Sequence, residues 1–237
     1  MAPKDGSTRW LMLARRILPE CLKDAIRSSL TCWARTVTNK VTLLRNGGSE
    51  SRKLEIGARG KRIQGFETLD IKWARNVDYV LDASKPLPFS DDTFEVVYAS
   101  HILEHIPWYK VEDTLKEWTR IIKPGSHLEL WVPNGLKICK VLMEAETNGN
   151  DLSHLDGWYK YNPEKDPCVW AAGRLFTYGD GKGDPSDPNW HRALFTPRYL
   201  KTLFEKVGLT DVRELRPEEV RGYDHGWINL GMVGTKE

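Results

Sequence analysis

The chain has 237 residues, a formal net charge of +2, 40% hydrophobic and 29% charged residues, and 19 Gly against 13 Pro. These values describe a chain that folds around a core and exclude a disordered, collagenous or coiled-coil protein. The length suits one α/β domain with extensions. Residues 1–52 hold ten of the 35 Lys/Arg but only four of the 33 Asp/Glu, so the remainder is mildly acidic. It lacks the basic stripe of a nucleic-acid-binding domain, and no nucleic-acid partner is expected.

In chain order, Trp10, Ala14, Ile17, Cys21 and Ala25 recur at helical spacing, with Arg15, Arg16, Lys23 and Arg27 mostly elsewhere. Residues 1–51 are therefore expected to form a basic amphipathic helical extension, broken near Pro19. Residues 9–33 offer a peripheral membrane or partner contact, or pack on their own domain. No apolar run approaches the ~20 residues that span a bilayer. Cys21, Cys32, Cys139 and Cys168 form no CxxC pair, which favours a reducing, cytoplasmic setting. Asn46-Gly47-Gly48-Ser49 marks a joint, and a second domain is expected over residues 52–237.

Within it, strands are predicted at Lys53 to Ile56, Glu67 to Asp70, Tyr79 to Leu81, Glu95 to Ala99 and His127 to Val132. A helix from Trp108 to Ile122 carries Val111, Leu115, Trp118 and Ile122 on one face, and Lys123-Pro124-Gly125 is expected to stop it. A second helix opens at Thr196-Pro197 and ends at Gly208, with Leu200, Leu203 and Val207 inward. Strands Thr210 to Leu215 and Trp227 to Val233 close the chain. This alternation predicts a parallel α/β sheet of doubly wound type. Residues 134–192, rich in Gly, Asp, Pro and aromatics, read as a substrate-facing insertion.

In such a sheet, ligands bind beyond the carboxyl ends of the strands. The first strand ends Glu55-Ile56-Gly57-Ala58-Arg59-Gly60, the second in Asp70 followed by Ile71, and the third leads to Asp82-Ala83. A glycine turn lets a ligand approach the backbone. Taken singly, each aspartate reads as a cap or turn residue. Pro-Leu-Pro-Phe-Ser-Asp-Asp-Thr-Phe-Glu-Val-Val-Tyr-Ala-Ser-His-Ile-Leu-Glu-His-Ile follows over Pro86 to Ile106.

The combination resembles the class I S-adenosylmethionine-dependent methyltransferases, closely over Lys53 to Gly135 and more loosely to the closing strands. The resemblance implies a Rossmann-like sheet of about seven strands with the last antiparallel, and S-adenosylmethionine as cofactor. It further implies that Glu55, Gly57, Ala58 and Gly60 border the methionine end and that Asp70 with Ile71 meets the ribose. Asp82 with Ala83 would meet the adenine, and Ser100, His101 and Leu103 the sulfonium pocket. Arg59 stands at the usual middle glycine, and about ten residues separate the first two strands. A subgroup associated with polysaccharide biosynthesis shows the same short link, here ending Gly65-Phe66. It implies O-methylation of a sugar or glycan, for which Trp158, Tyr159, Tyr161, Trp170 and Trp190 of the insertion would supply stacking faces.

A base is needed only if the acceptor is a hydroxyl. His191 is the first candidate, with His101 and His105 after the fourth strand. Asp180, Asp184, Asp187 and His191 read as turns rather than a metal site, and no metal is expected. The alternatives are a small aromatic or lipid-linked acceptor and a non-catalytic cofactor-binding scaffold. A nicotinamide dehydrogenase lacks support because the full GxGxxG is absent.

Overall fold

A computed structural model of the chain describes residues 36–58, 62–149, 162–176 and 187–237. The chain divides into two units between Gly48 and Ser49. In the first, helix α1 covers 36–46, and the Gly47 amide donates to the Leu43 carbonyl at 2.9 Å. The proposed membrane or partner contact of residues 9–33, together with Cys21 and Cys32, lies outside the described residues. No helix among the described residues is long and apolar enough to cross a membrane.

The second unit is built on a seven-stranded sheet of β1 (Lys53–Ile56), β2 (Glu67–Asp70), β3 (Tyr79–Val80), β4 (Phe94–Ser100), β5 (Ile122–Pro133), β6 (Leu209–Leu215) and β7 (Asn229–Lys236). The order is β3-β2-β1-β4-β5-β7-β6. All neighbours pair in parallel except β7, which runs antiparallel to both β5 and β6. This is the Rossmann-like sheet that the resemblance implied. One face of the central strands is wholly apolar, with Leu54, Ile56, Val97, Ala99, Leu128 and Leu130 buried in register, while the other buries Val96, Tyr98 and Trp131 beside Glu55 and Glu129. Because β1 has β2 on one side and β4 on the other, the winding direction reverses between β1 and β4, and a crevice opens at their carboxyl ends.

Helix α2 (Val111–Arg120) buries Val111, Leu115 and Trp118 as their spacing predicts. It stops earlier than expected. The Ile121 carbonyl accepts from the amides of Thr93 and Phe94 at 2.9 and 2.8 Å, so the chain turns directly into β5. Lys123-Pro124-Gly125 thus opens that strand instead of ending the helix. Helix α5 (Pro197–Lys206) begins as predicted, with the Thr196 hydroxyl accepting from the Tyr199 amide at 3.3 Å. Its inward face is Leu200, Leu203 and Phe204, with Val207 only half-buried.

The insertion is more regular than its composition suggested. Helix α3 (Gly135–Asn148) is capped by the Asn134 side chain and ended by left-handed Gly149, and α4 is Pro167–Phe176. Ile138, Ala145, Trp170 and Ala171 are buried together, with Val141, Leu142 and Trp227 packed on them. The ring centroids of Trp170 and Trp227 are 6.1 Å apart and their planes nearly parallel. Trp170 is therefore a core residue, not a sugar-stacking face. Trp158, Tyr159 and Tyr161 lie outside the described residues, and Trp190 is half-buried.

Candidate active site

The crevice holds two cavities that meet at Gly57. The smaller, about 100 Å³, is lined by Asp70, Ile71, Asp82, Ala83 and Ile102. Each aspartate closes a turn with one oxygen. Asp70 Oδ1 accepts from the Lys72 amide at 2.7 Å, and Asp82 Oδ1 accepts from the Ser84 amide and hydroxyl at 3.0 and 2.7 Å. These bonds fix the carboxylates and leave the second oxygen of each without a hydrogen-bond partner among the described residues. Gly57 adopts φ +87°, and a Cβ there would come within 2.1 Å of Ile102 Cδ1. Glycine therefore lets β1 turn beneath the loop after β4.

The larger cavity, about 720 Å³, is lined by Glu55, Ala58, Tyr98, Ser100, Arg221 and His225 among others. Glu55 Oε2 accepts from the Ile63 amide at 3.1 Å. Burial nevertheless pushes its carboxyl above the ordinary range, so a cation placed beside it would be favoured. Arg221 is held by Glu129 through two contacts at 2.5 and 2.7 Å, and the Gly222 amide donates to the Tyr98 hydroxyl at 3.3 Å. Burial, reinforced by the neighbouring His101, pushes the His225 imidazole down to about 4.

Glu55, Gly57, Ala58, Asp70, Ile71, Asp82, Ala83 and Ser100 thus line one crevice, while Gly60 lies outside the described residues. Leu103 is a correction: it is fully buried in the core, and Ile102 takes its place on the cavity wall. His101 stands behind the wall. It adopts left-handed φ +54°, with Nδ1 3.3 Å from Glu104 Oε1 and Nε2 2.9 Å from Asn229 Oδ1. Both ring nitrogens face oxygen acceptors, so His101 positions its neighbours and is poorly placed as a base.

His191 does not line the crevice. It borders a separate cavity of about 420 Å³ with Trp108, Phe176 and Leu194, and its ring centroid is 5.1 Å from that of His105. The histidine that faces the crevice is His225, which the sequence reading missed. It arrives with Arg221 and Tyr223 on residues 216–228, between β6 and β7. That connection is far too long for a tight hairpin, and its Gly-Tyr-Asp-His-Gly run was the available signal.

Burial opposes charge on Glu104, but the nearby His101, aided by His105 and His191, holds its carboxyl down at about 2. Burial likewise pushes the His191 imidazole down to about 4.

A family model described as a methyltransferase domain matches residues 45–214. No curated protein sequence matches the chain. Among solved structures, a SAM-dependent methyltransferase from Archaeoglobus fulgidus is similar at 16% identity and a TM-score of 0.46, covering 85% of this chain and 94% of that one. The carbon methyltransferase of CurJ is similar at 17% identity and a TM-score of 0.42, over 85% of this chain and 53% of that one. The trans-methyltransferase CalH, solved in complex with SAH, is similar at 18% identity and 0.42, over 86% and 55%. The chain therefore spans about half the length of the last two.

Proposed function

Because the chain belongs to the methyltransferase domain family matched over residues 45–214, we propose that it transfers a methyl group from S-adenosylmethionine to a hydroxyl of a sugar or glycan. The observation that carries the reading is the paired cavity meeting at Gly57, one part narrow with two fixed carboxylates, the other wide and lined by both charged and aromatic side chains.

The donor set fits the cofactor. Asp70 and Asp82 each keep one oxygen to accept from hydroxyl or amino groups, and buried Glu55 gains from a neighbouring ammonium. When bound, the cofactor supplies an electrophilic methyl on a sulfonium. Asp70 orients the ribose, Asp82 and Ala83 border the adenine, and Gly57 lets the backbone approach. Transfer then requires alignment above all. Tyr98, Arg221 and Tyr223 border the acceptor, and His225, neutral at physiological pH, takes the proton of its hydroxyl as the methyl is transferred.

The test is incubation with methyl-labelled S-adenosylmethionine and a panel of monosaccharides, nucleotide sugars, oligosaccharides, small phenols and lipid-linked acceptors. The reading requires a gain of one methyl on a carbohydrate hydroxyl. Transfer to a phenol or lipid-linked compound alone would replace the acceptor class. Donor binding with no transfer to any would favour a non-catalytic scaffold.

A further inference from the structure

We propose that Glu104, His105 and His191 form a binding site for a first-row divalent transition-metal cation, with zinc the first candidate. The sequence reading expected no metal and looked for ligands only among Asp180, Asp184, Asp187 and His191. The fold instead joins His191 to the turn after β4. One ligand-type atom from each of Glu104, His105 and His191 lies within 4.8 Å of the other two.

Three further observations support a cation there. First, Glu104 is 1% exposed, and neither carboxylate oxygen has a hydrogen-bond partner among the described residues. His101 Nδ1 lies 3.3 Å from Glu104 Oε1. A buried carboxylate with no hydrogen-bond donor is costly unless a positive charge meets it.

Second, the two histidines are oriented as ligands are. His105 Nδ1 lies 3.3 Å from the Trp190 carbonyl, and His191 Nδ1 lies 3.2 Å from the Arg174 carbonyl. A carbonyl only accepts, so Nδ1 carries the hydrogen in each ring and Nε2 carries the lone pair. Donation from the far ring nitrogen to a backbone carbonyl is the usual support of a metal-bound imidazole.

Third, the two segments are fastened in register. The Glu104 carbonyl accepts from the amides of Arg192 and Ala193 at 2.6 and 3.2 Å. The backbone thus presents the ligands together before any cation arrives.

Two imidazole nitrogens and one carboxylate oxygen suit zinc, iron, cobalt or manganese in preference to magnesium or calcium, which take mainly oxygen. Bonds of about 2.1 Å from these three atoms would leave at least one coordination position over. The cavity bordered by Trp108, Phe176, His191 and Leu194 is the place from which water or a ligand would fill it.

The experiment uses the full chain, stripped with a chelator and returned to buffer. Calorimetric titration with zinc, and visible absorption on adding cobalt, measure binding without reference to methyl transfer. The proposal requires about one zinc per chain, a higher Tm with zinc, and a cobalt spectrum of nitrogen and oxygen ligation. His191→Asn should weaken zinc binding by roughly tenfold or more and remove the Tm shift. Glu104→Gln should do the same, and Cys168→Ser, at an exposed thiol outside the group, should leave both readouts unchanged. If Glu104→Gln fails to fold, His191→Asn alone decides. No zinc uptake by the wild-type chain, or equal uptake by His191→Asn, would overturn the site.

Discussion

The imidazole of His225 lies on that of His101, with ring centroids 3.6 Å apart and planes at 24°. This stack joins the wall of the large cavity to the buried Glu104 group. The Asn229 amide completes the join: its Nδ2 donates to Asp224 Oδ1 at 2.7 Å, while its Oδ1 faces His101 Nε2 at 2.9 Å. A change at His101 should therefore be felt both in the crevice and behind it.

The stack carries a pH dependence whose sign follows from the depressed His225 value. The folded imidazole titrates near 4, while an unfolded one titrates near 6.5. Between those values the unfolded chain binds the extra proton, so stability falls as pH drops from about 6.5 towards 4. Thermal melts at intervals across that window should show Tm declining with acidity. His225→Gln should flatten part of the decline, and an unchanged slope in the variant would assign the dependence to other groups.

Gly57→Ala should damage both the fold and donor binding. Its φ of +87° is strained for any side chain, and the added carbon would strike Ile102 Cδ1 and Cγ1 at 2.1 and 2.3 Å. A loss of about 2 kcal/mol is expected, read as a lower midpoint in urea. The remaining folded protein should bind S-adenosylhomocysteine more weakly, because Ile102 also lines the small cavity.

Gly231→Ala separates packing from the site. A Cβ there would lie 2.6 to 2.7 Å from three atoms of the Trp131 ring, and Trp131 is buried on β5 opposite Gly231 on β7. The ring has little room to retreat, so a cost of about 2–3 kcal/mol and a Tm lower by several degrees are expected. Donor affinity of the folded fraction, measured well below the new Tm, should be unchanged.

The sequence made some of these features legible and hid others for identifiable reasons. β1 and β2 were readable to the residue because Gly57 and Asp70 punctuate the chain just where Leu54-Glu55-Ile56 and Thr68-Leu69 end. The caps of α5 were equally plain at Thr196-Pro197. Helix α3 was missed although Ile138, Val141, Leu142 and Ala145 carry helical spacing, since the Gly, Asp and Pro of the surrounding insertion diluted the period. The crevice residues at strand ends could be found from topology. His225 and Arg221 could not, because they reach it from the β6–β7 connection, which that topology rule does not cover. His191 was noticed as chemically able, but only the pairing of the Arg192 and Ala193 amides with the Glu104 carbonyl reveals its neighbours.

The most direct test of the central claim is calorimetric titration of the wild-type chain and Asp70→Ala with S-adenosylhomocysteine, with NAD as the control. Asp70 already satisfies one oxygen through the Lys72 amide, so the substitution removes the oxygen left for the ribose as well as the turn bond. The account requires micromolar binding by the wild type, a loss of about tenfold or more in the variant with its circular dichroism unchanged, and no binding of NAD. Equal affinity in a folded Asp70→Ala protein, or no binding by the wild type, would contradict it.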